Sequence, residues 1–286
     1  MRQLPVASRR LPVFQTKLPA LPSLPRGQAF LIWFYWQLAT GRWQLKLMTR
    51  RRFIADEVSG DRAALVGEHA GHLARVLRAR VGQDFDVATG EAVRRGRITL
   101  VENGRVEFDL GEEVSAESLS VITLVLAIFK FDRMEWAIEK CTELGVSRIV
   151  PVIARRTDAH LAAASGKRVE RWRRIVRQAS EQSRRAAPPE IAAPIKVADA
   201  LNLQVALRVV LAESEDLTLL RDVVKPQTAN EGIVLAVGPE GGWADDELQS
   251  FRQAGWISAS LGNTILRAET AAMAATAIVA SELYSL

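Results

Sequence analysis

Cysteine is all but absent from this sequence: Cys141 is the single thiol among 286 residues. One cysteine excludes an internal disulfide framework and any cysteine-rich zinc site. It fits a reducing, cytoplasmic setting. Histidine is nearly as scarce, with His69, His72 and His160 making up the full set. His69 and His72 stand three apart but lack a third ligand, so no metal site is expected. The apolar stretch from Ala29 to Ala39 is about half the roughly 20 residues a spanning helix needs. No small-residue cleavage site follows it.

The first 47 residues carry Pro5, Pro12, Pro19, Pro22 and Pro25, which disfavour helix and sheet alike. We read residues 1–47 as a non-structural extension, with a membrane anchor as the rival reading, and Met48 as the opening of an ordinary N-terminus. The remaining composition is that of a globular protein, with 48% hydrophobic and 25% charged residues. A formal net charge of +5 leans toward anionic partners such as nucleic acid, because neutralising phosphates releases counterions.

Residues 48–117 pattern as a small domain of short strands with one helix. Arg52-Phe53-Ile54 begins a strand, and Leu73, Val76 and Leu77 place a helix over Glu68 to Arg80, with Gly82 just past its end. Phe85 to Val87, Val93 to Leu100 and Val106 to Leu110 alternate. Thr89-Gly90 and Asn103-Gly104 separate them, the latter a strong hairpin signal. The sum is a compact β-barrel-like module. Polar, aperiodic Glu112 to Ser118 reads as a linker.

Residues 118–286 alternate strand and helix. Leu119 to Ile128 is a continuous apolar run, as in a strand buried on both faces. Phe131, Met134, Ile138 and Cys141 recur at helical spacing, and Gly145 supplies the stop. Further strands are expected over Val146–Ile153, Val205–Ala212 and Ile233–Val237. Helices are expected over Lys167–Arg185, Asp245–Ala254 and Glu269–Leu283. The last is rich in alanine, a composition suited to burial against close neighbours or across a subunit interface. Such alternation means an α/β domain with a largely parallel sheet.

Two segments carry chemistry. Gly238, Pro239, Glu240, Gly241 and Gly242 directly follow the strand ending at Val237. Ligands bind at the carboxyl ends of parallel strands, and glycine lets backbone approach them closely. This loop lacks both the lysine and hydroxyl of a phosphate-binding loop and the dinucleotide spacing. Glu240 beside phosphates would be unfavourable, so a neutral or cationic ligand fits better. A plain glycine turn is the alternative. The second segment is Leu261-Gly-Asn-Thr-Ile-Leu-Arg-Ala-Glu-Thr-Ala271. Its Arg267, Glu269 and Thr270 either cap the final helix or form a ligand lip.

Taken together, these two segments resemble the RsmE-type 16S rRNA (uracil-N(3))-methyltransferases of the SPOUT superfamily. Lys130-Phe-Asp-Arg-Met-Glu135, Thr142-Glu-Leu-Gly-Val146, Arg155-Arg156 and Ala179-Ser-Glu-Gln-Ser-Arg184 are similar to that family's intervening helices and strands. Arg52-Phe53 and His72-Leu-Ala-Arg-Val-Leu-Arg78 resemble its RNA-binding, PUA-like domain. The likeness covers about residues 49 to 286. Thr264 departs from it, standing where the family usually has a basic residue.

The resemblance implies a SPOUT-type catalytic domain threaded into a deep trefoil knot, against the general rarity of knots. It also implies a homodimer with the final helix in the interface. S-adenosyl-L-methionine would be held by Gly238 to Gly242, by Leu261, Gly262, Ile265, Leu266, Arg267 and Thr270, and by a third wall at Leu211 and Glu213. The implied partner is 16S rRNA in the small ribosomal subunit; tRNA, or a non-catalytic RNA-binding role, are the competing readings. Methylation at N(3) of uracil requires loss of a proton and stabilisation of charge on the carbonyl oxygens, a task suited to an arginine. Arg267 is the candidate, with Glu269 as its orienting partner or as proton acceptor. Cys141 reads as core, since methylation at nitrogen needs no thiol adduct. Arg51, Arg52, His72, Arg75, Arg78, Arg156 and Arg184 are the candidate RNA contacts, with solvated surface as the alternative for each arginine and packing as that for His72.

Overall fold

A computed structural model describes residues 52–90, 92–102, 104–115, 122–224 and 232–283. All lie in one compact unit, Arg51–Leu286. The alternating segments of the N-terminal half form strands β1 (Arg52–Ile54), β2 (Glu57–Ser59), β3 (Arg62–Val66), β4 (Asp84–Ala88), β5 (Val93–Glu102) and β6 (Arg105–Ser115). They make one sheet in the order β1-β4-β5-β6-β3-β2. Only the β1–β4 pair is parallel.

Inward-facing Leu65, Val87, Ile98, Val106 and Phe108 build its core. Gly96 is glycine for a steric reason: a Cβ there would lie 2.5 Å from Val87 Cγ2. Irregularities in the β5–β6 register bend the ladder, as bulges do, and the sheet curls around its core. No ladder joins β1 to β2 among the described residues, so the expected barrel is a curled sheet with two edges. The strands' outward arginines are neutralised across neighbours, as in Arg97 with Asp84 at 2.9 Å and Arg105 with Glu57 at 2.9 Å. Strand β6 runs to Ser115, so the first half of the expected linker is strand.

The helix expected over residues 68–80 is shorter and irregular. Helix α1 (Gly67–Gly71) passes into a π-turn over His72–Val76, where Leu77 N–H reaches back five residues to His72 O (3.3 Å). Arg78 then takes φ +51, ending it. Leu73 fills the core, but the wider turn rotates Val76 outward to 64% exposure. A 3.6-residue period cannot describe a π-turn.

The C-terminal half carries β7 (Ile122–Ala127), β8 (Arg148–Ile153), β9 (Glu190–Ile191), β10 (Ile195–Lys196), β11 (Leu207–Leu211), β12 (Ile233–Val237) and β13 (Ile257–Ala259). All pairings are parallel, in the order β10-β8-β7-β12-β11-β13, with β9 also on β8. The helices are α2 (Phe131–Glu143), α3 (Ala159–Ser165), α4 (Val169–Gln182), α5 (Val197–Ala200), α6 (Leu220–Val223), α7 (Asp245–Gln253) and α8 (Ala268–Leu283).

The continuous apolar runs are explained by cover on both faces. Ile122, Leu124 and Leu126 of β7 pack with Ile138 of α2, Trp172 of α4 and Ala272 of α8. Val125 and Ala127 face Phe251 of α7 and Val197 of α5 instead. Alanines in α8 let it lie close to α2, where the Thr276 hydroxyl donates to Ala272 O (2.8 Å) and meets Cys141 Sγ at 3.6 Å. Cys141 is fully buried, and burial pushes its thiol up to about 12.

Candidate functional site

The chain leaves the sheet at the carboxyl ends of β11, β12 and β13, and the three exits enclose one cavity of about 310 Å³. Val237 leads into Gly238–Gly242, which turns back on itself through Gly242 N–H to Pro239 O (2.8 Å) with Gly242 at φ +69. At Gly238 a Cβ would stand 3.2 Å from Trp243 Nε1 and 3.3 Å from the Trp243 amide nitrogen. Trp243 has little room to yield, since it is buried and meets Phe251 edge-on at 5.0 Å. Its Nε1 has no partner among the described residues.

The second wall is Leu211, Ala212 and Glu213, leading to Asp216. The third is Ser260 to Leu266. It is tied to the second wall by backbone bonds from Ser260 N–H to Thr218 O (2.8 Å) and from Leu220 N–H to Ser260 O (2.9 Å). Glu213, Asp216, Glu240 and Asp245 line the cavity, and Arg156 is the single cation of the lining. Arg156 is itself committed, donating from Nη1 to Gly241 O (2.7 Å). Glu240 is paired with Arg133 from outside the lining, so Glu213, Asp216 and Asp245, which have no ion-pair partner among the described residues, make the field that favours a positively charged ligand.

The expected site residues are distributed as follows. Leu211, Glu213, Gly238, Pro239, Glu240, Gly241, Gly242, Leu261, Gly262, Ile265 and Leu266 all line the cavity. Arg267, Glu269 and Thr270 stand outside the lining, at the head of α8, where Arg267 O accepts from Ala271 N–H (2.8 Å). The expected pairing of Glu269 with Arg267 is replaced by another. Arg133 of α2 donates to Glu240 Oε1 at 2.8 Å and lies 3.9 Å from Glu269 Oε1. Glu269 is 4% exposed, and its Oε2 has no partner among the described residues. Arg267 is exposed and has no ion-pair partner among the described residues.

Of the expected RNA contacts, Arg51 lies outside the described residues. Arg52 is a correction: at 8% exposure it is enclosed, on the face of β1 opposite core-facing Phe53 and shared with Ile54, which Ala186 covers, and it forms no part of an outer cationic face. Arg156 belongs to the cavity. His72, Arg75 and Arg78 are exposed around the π-turn, with Arg75 Nε also reaching Gly71 O (3.4 Å). Arg184 is half-buried just beyond α4. Arg78 (φ +51) and Arg184 (φ +62) are the described non-glycine residues in left-handed backbone.

Sequence reasoning missed Asp216, Trp243, Ser260 and Arg133. The acidic cluster after β11 and the tryptophan directly after Gly242 were usable signals. Arg133 stands inside the Lys130–Glu135 segment quoted for the resemblance, which was its signal.

A family model described as an RNA methyltransferase domain matches residues 116–280. Ribosomal RNA small subunit methyltransferase E of Synechocystis sp. is 35% identical over 220 residues, covering 75% of this chain and 71% of that protein. The protein of the same name from Rickettsia conorii is 34% identical over 220 residues, covering 74% and 86% respectively. Among solved structures, that of ribosomal RNA small subunit methyltransferase E from Neisseria gonorrhoeae bound to S-adenosyl methionine superposes with a TM-score of 0.71. It is 32% identical in sequence, and the match covers 80% of this chain and 95% of that one. A cation-suited cavity at the carboxyl ends of a parallel sheet and relatives matched across both sheets lead to one conclusion: the chain belongs to the RNA methyltransferase domain family, alongside the ribosomal RNA small subunit methyltransferase E proteins.

Proposed function

We propose that this chain methylates N(3) of a uridine in 16S rRNA of the small ribosomal subunit, using S-adenosyl-L-methionine. The observation that carries the reading is the cavity: glycine backbone on one side, apolar Leu211, Leu261 and Leu266 on others, and Glu213, Asp216, Glu240 and Asp245 around it. That donor set fits the cofactor, with apolar walls for its adenine and carboxylates for its cationic end. When bound, S-adenosylmethionine supplies a methyl group on a sulfonium, which is a good leaving group. Gly238, Gly241 and Gly242 would admit it without side-chain obstruction, and the Arg156 bond to Gly241 O holds the loop in place.

Arg267 and Glu269 are the proposed catalytic residues. The guanidinium of Arg267 is exposed and uncommitted, so it can neutralise charge spreading onto the uracil carbonyl oxygens. Glu269 offers an unpartnered carboxylate oxygen beside Ala268 of the cavity lining, and is the proposed proton acceptor.

Residues 48–117 are the proposed PUA-like RNA-binding domain and residues 118–286 the SPOUT domain. Arg75, Arg78 and Arg184 would meet phosphates, since they have no acidic partner among the described residues, whereas the strand arginines do, and exposed His72 would hydrogen-bond beside them. The trefoil threading is proposed from the way residues 212–220 and Ser260 bind each other around β13. A homodimer is proposed from the outer side of α8, where Ala274, Ala277 and Ile278 are half-exposed. No described helix is long and apolar enough to cross a membrane.

The test is methyl transfer from labelled S-adenosylmethionine to small subunits lacking the modification, with bulk tRNA in parallel. Label mapped to N(3) of one uridine in the small-subunit RNA is the expected result. Label in tRNA alone overturns the substrate, and transfer to neither overturns the enzyme.

A further inference from the structure

Among the described residues, strand β1 is an edge of the first sheet, paired only with β4. Ala55 N–H turns inward to Ala88 O (2.9 Å), so the N–H and C=O of Ile54 point away from that ladder. Helix α4, which belongs to the other sheet's core, satisfies both. Arg177 Nη2 donates to Ile54 O, and Ile54 N–H donates to Glu181 Oε1 (3.5 Å). An i,i+4 pair on a helix thus takes the place of a missing strand neighbour.

The contact extends further. Arg177 Nη1 lies 2.7 Å from Asp56 Oδ1, and Arg177 Nε lies 3.6 Å from Glu181 Oε1. Asp56 also accepts from Val66 N–H (2.9 Å) and meets His69 Nδ1 at 3.2 Å, which ties the joint to the start of α1. The side chains of Arg177, Asp56 and Glu181 are 19%, 15% and 21% exposed. Beside them Ala186 packs among Ile54, Ala88 and Val93. The opposite face of α4, at Trp172, Val176 and Ala179, is anchored in the catalytic core. One helix is therefore built into one sheet and hydrogen-bonded to the edge of the other.

Apolar contacts slide at little cost, whereas directional bonds among half-buried charged groups hold one geometry. We infer that Arg177 and Glu181 are positioning residues for RNA recognition, fixing the angle at which the first sheet and its π-turn cations stand to the methyl-transfer cavity. The inference rests on the methyltransferase reading above. It assigns the joint an effect on the RNA substrate and none on the cofactor.

The experiment uses the full chain carrying Arg177→Met, Arg177→Lys, Glu181→Gln or Asp56→Asn. S-adenosylmethionine affinity is measured by calorimetry, and KM and kcat by methyl transfer to unmodified small subunits. Hydrogen exchange is followed in peptides covering residues 52–56 and α8. With Arg177→Met, KM for subunits should rise about tenfold or more, because β1 loses its directional partner and the first sheet its fixed angle. Cofactor affinity and kcat at saturating subunits should stay within about twofold. Exchange should quicken at residues 52–56 and not in α8. Arg177→Lys should recover part of the loss, because a point ammonium cannot reach all its acceptors at once. Asp56→Asn combined with Arg177→Met should be no worse than the worse single change, as expected within one network. Unchanged KM in a folded Arg177→Met protein overturns the inference, as does a parallel loss of kcat and cofactor affinity. Should Arg177→Met not fold, Arg177→Lys and Glu181→Gln must show the same KM-only loss or the inference is overturned. A wild-type protein that neither binds cofactor nor methylates subunits sinks the methyltransferase reading instead, and exchange at residues 52–56 still decides whether the joint exists.

Discussion

Replacing Gly238 with alanine tests the cavity at its tightest point. The added methyl would sit 3.2 Å from Trp243 Nε1 and 3.3 Å from both Trp243 Cδ1 and its amide nitrogen. Those separations are a few tenths of an ångström too short, so something must move. The indole is backed by Phe251 at 5.0 Å, which is backed in turn by Trp256 at 4.9 Å. Overpacking of this kind costs about 1–3 kcal/mol. At about 2–4 °C per kcal/mol for a domain of this size, that lowers Tm by roughly 2–12 °C. Gly242→Ala is the control with a different cause: its nearest foreign atom, Arg156 Nη1, is 3.9 Å away, but φ is +69. It should lose about 1–2 kcal/mol through backbone strain alone. The two are separated by Trp243→Phe, which should return part of the stability of Gly238→Ala and none of that of Gly242→Ala. Scanning calorimetry with and without S-adenosylmethionine reads both effects, since a ligand raises Tm according to its affinity. Gly238→Ala should also show a smaller cofactor-induced rise. A Gly238→Ala protein with wild-type Tm and a wild-type cofactor response would refute the steric argument and the cavity assignment together.

Arg267→Ala should leave Tm unchanged, because the side chain is exposed and unpaired, yet lower kcat by roughly 10²–10³, the usual loss on removing an oxyanion donor. Normal turnover with normal substrate affinity would remove Arg267 from the mechanism. Arg133→Gln strips the cation nearest buried Glu269 and should cost about 1–3 kcal/mol in chemical denaturation; Arg133→Lys should recover part, and equal stability of all three proteins would contradict the bridge. The Cys141 thiol, pushed up to about 12 by burial, stays protonated at working pH. Cys141→Ala should therefore retain methyl transfer, and alkylation of the folded wild type at neutral pH would contradict this. Burial raises the Glu181 carboxyl above its ordinary value, outweighing the Ile54 amide and Arg177 that lower it. A raised folded-state value favours the protonated form, so this contribution to stability is present in acid and lost as pH climbs above about 4.3. Urea titrations of wild type and Glu181→Gln should diverge across that window, and identical slopes would refute the shift.

Much of the fold was legible because its causes are local. The run Leu119–Ile128 announced a doubly covered strand, and β7 is buried on both faces. Helical spacing from Phe131 with a stop at Gly145 matched α2, where Gly145 takes φ +102. Gly104, at φ +86, lies where β5 turns into β6, as the hairpin signal required, while Asn103 lies outside the described residues. Nine residues of the two glycine-bearing segments, assigned to the cofactor through the resemblance, are found around one cavity. What local pattern could not carry was anything decided by pairing between distant strands. Three-residue β13 has too short a period to detect, yet its place beside β11 delivers Ser260 to Leu266 to the cavity. Arg133 reaches Glu240 and Glu269 only because β12 inserts beside β7 and α8 packs on α2. Val76 turned outward through a π-turn, and Arg52 is buried because the face of β1 opposite Phe53, which it shares with Ile54, is covered from the second half of the chain by Ala186. Composition, period and turn chemistry act over a few residues and so determine elements. Side-chain partners across the chain are set by how those elements cross, which only the packed sheets decide.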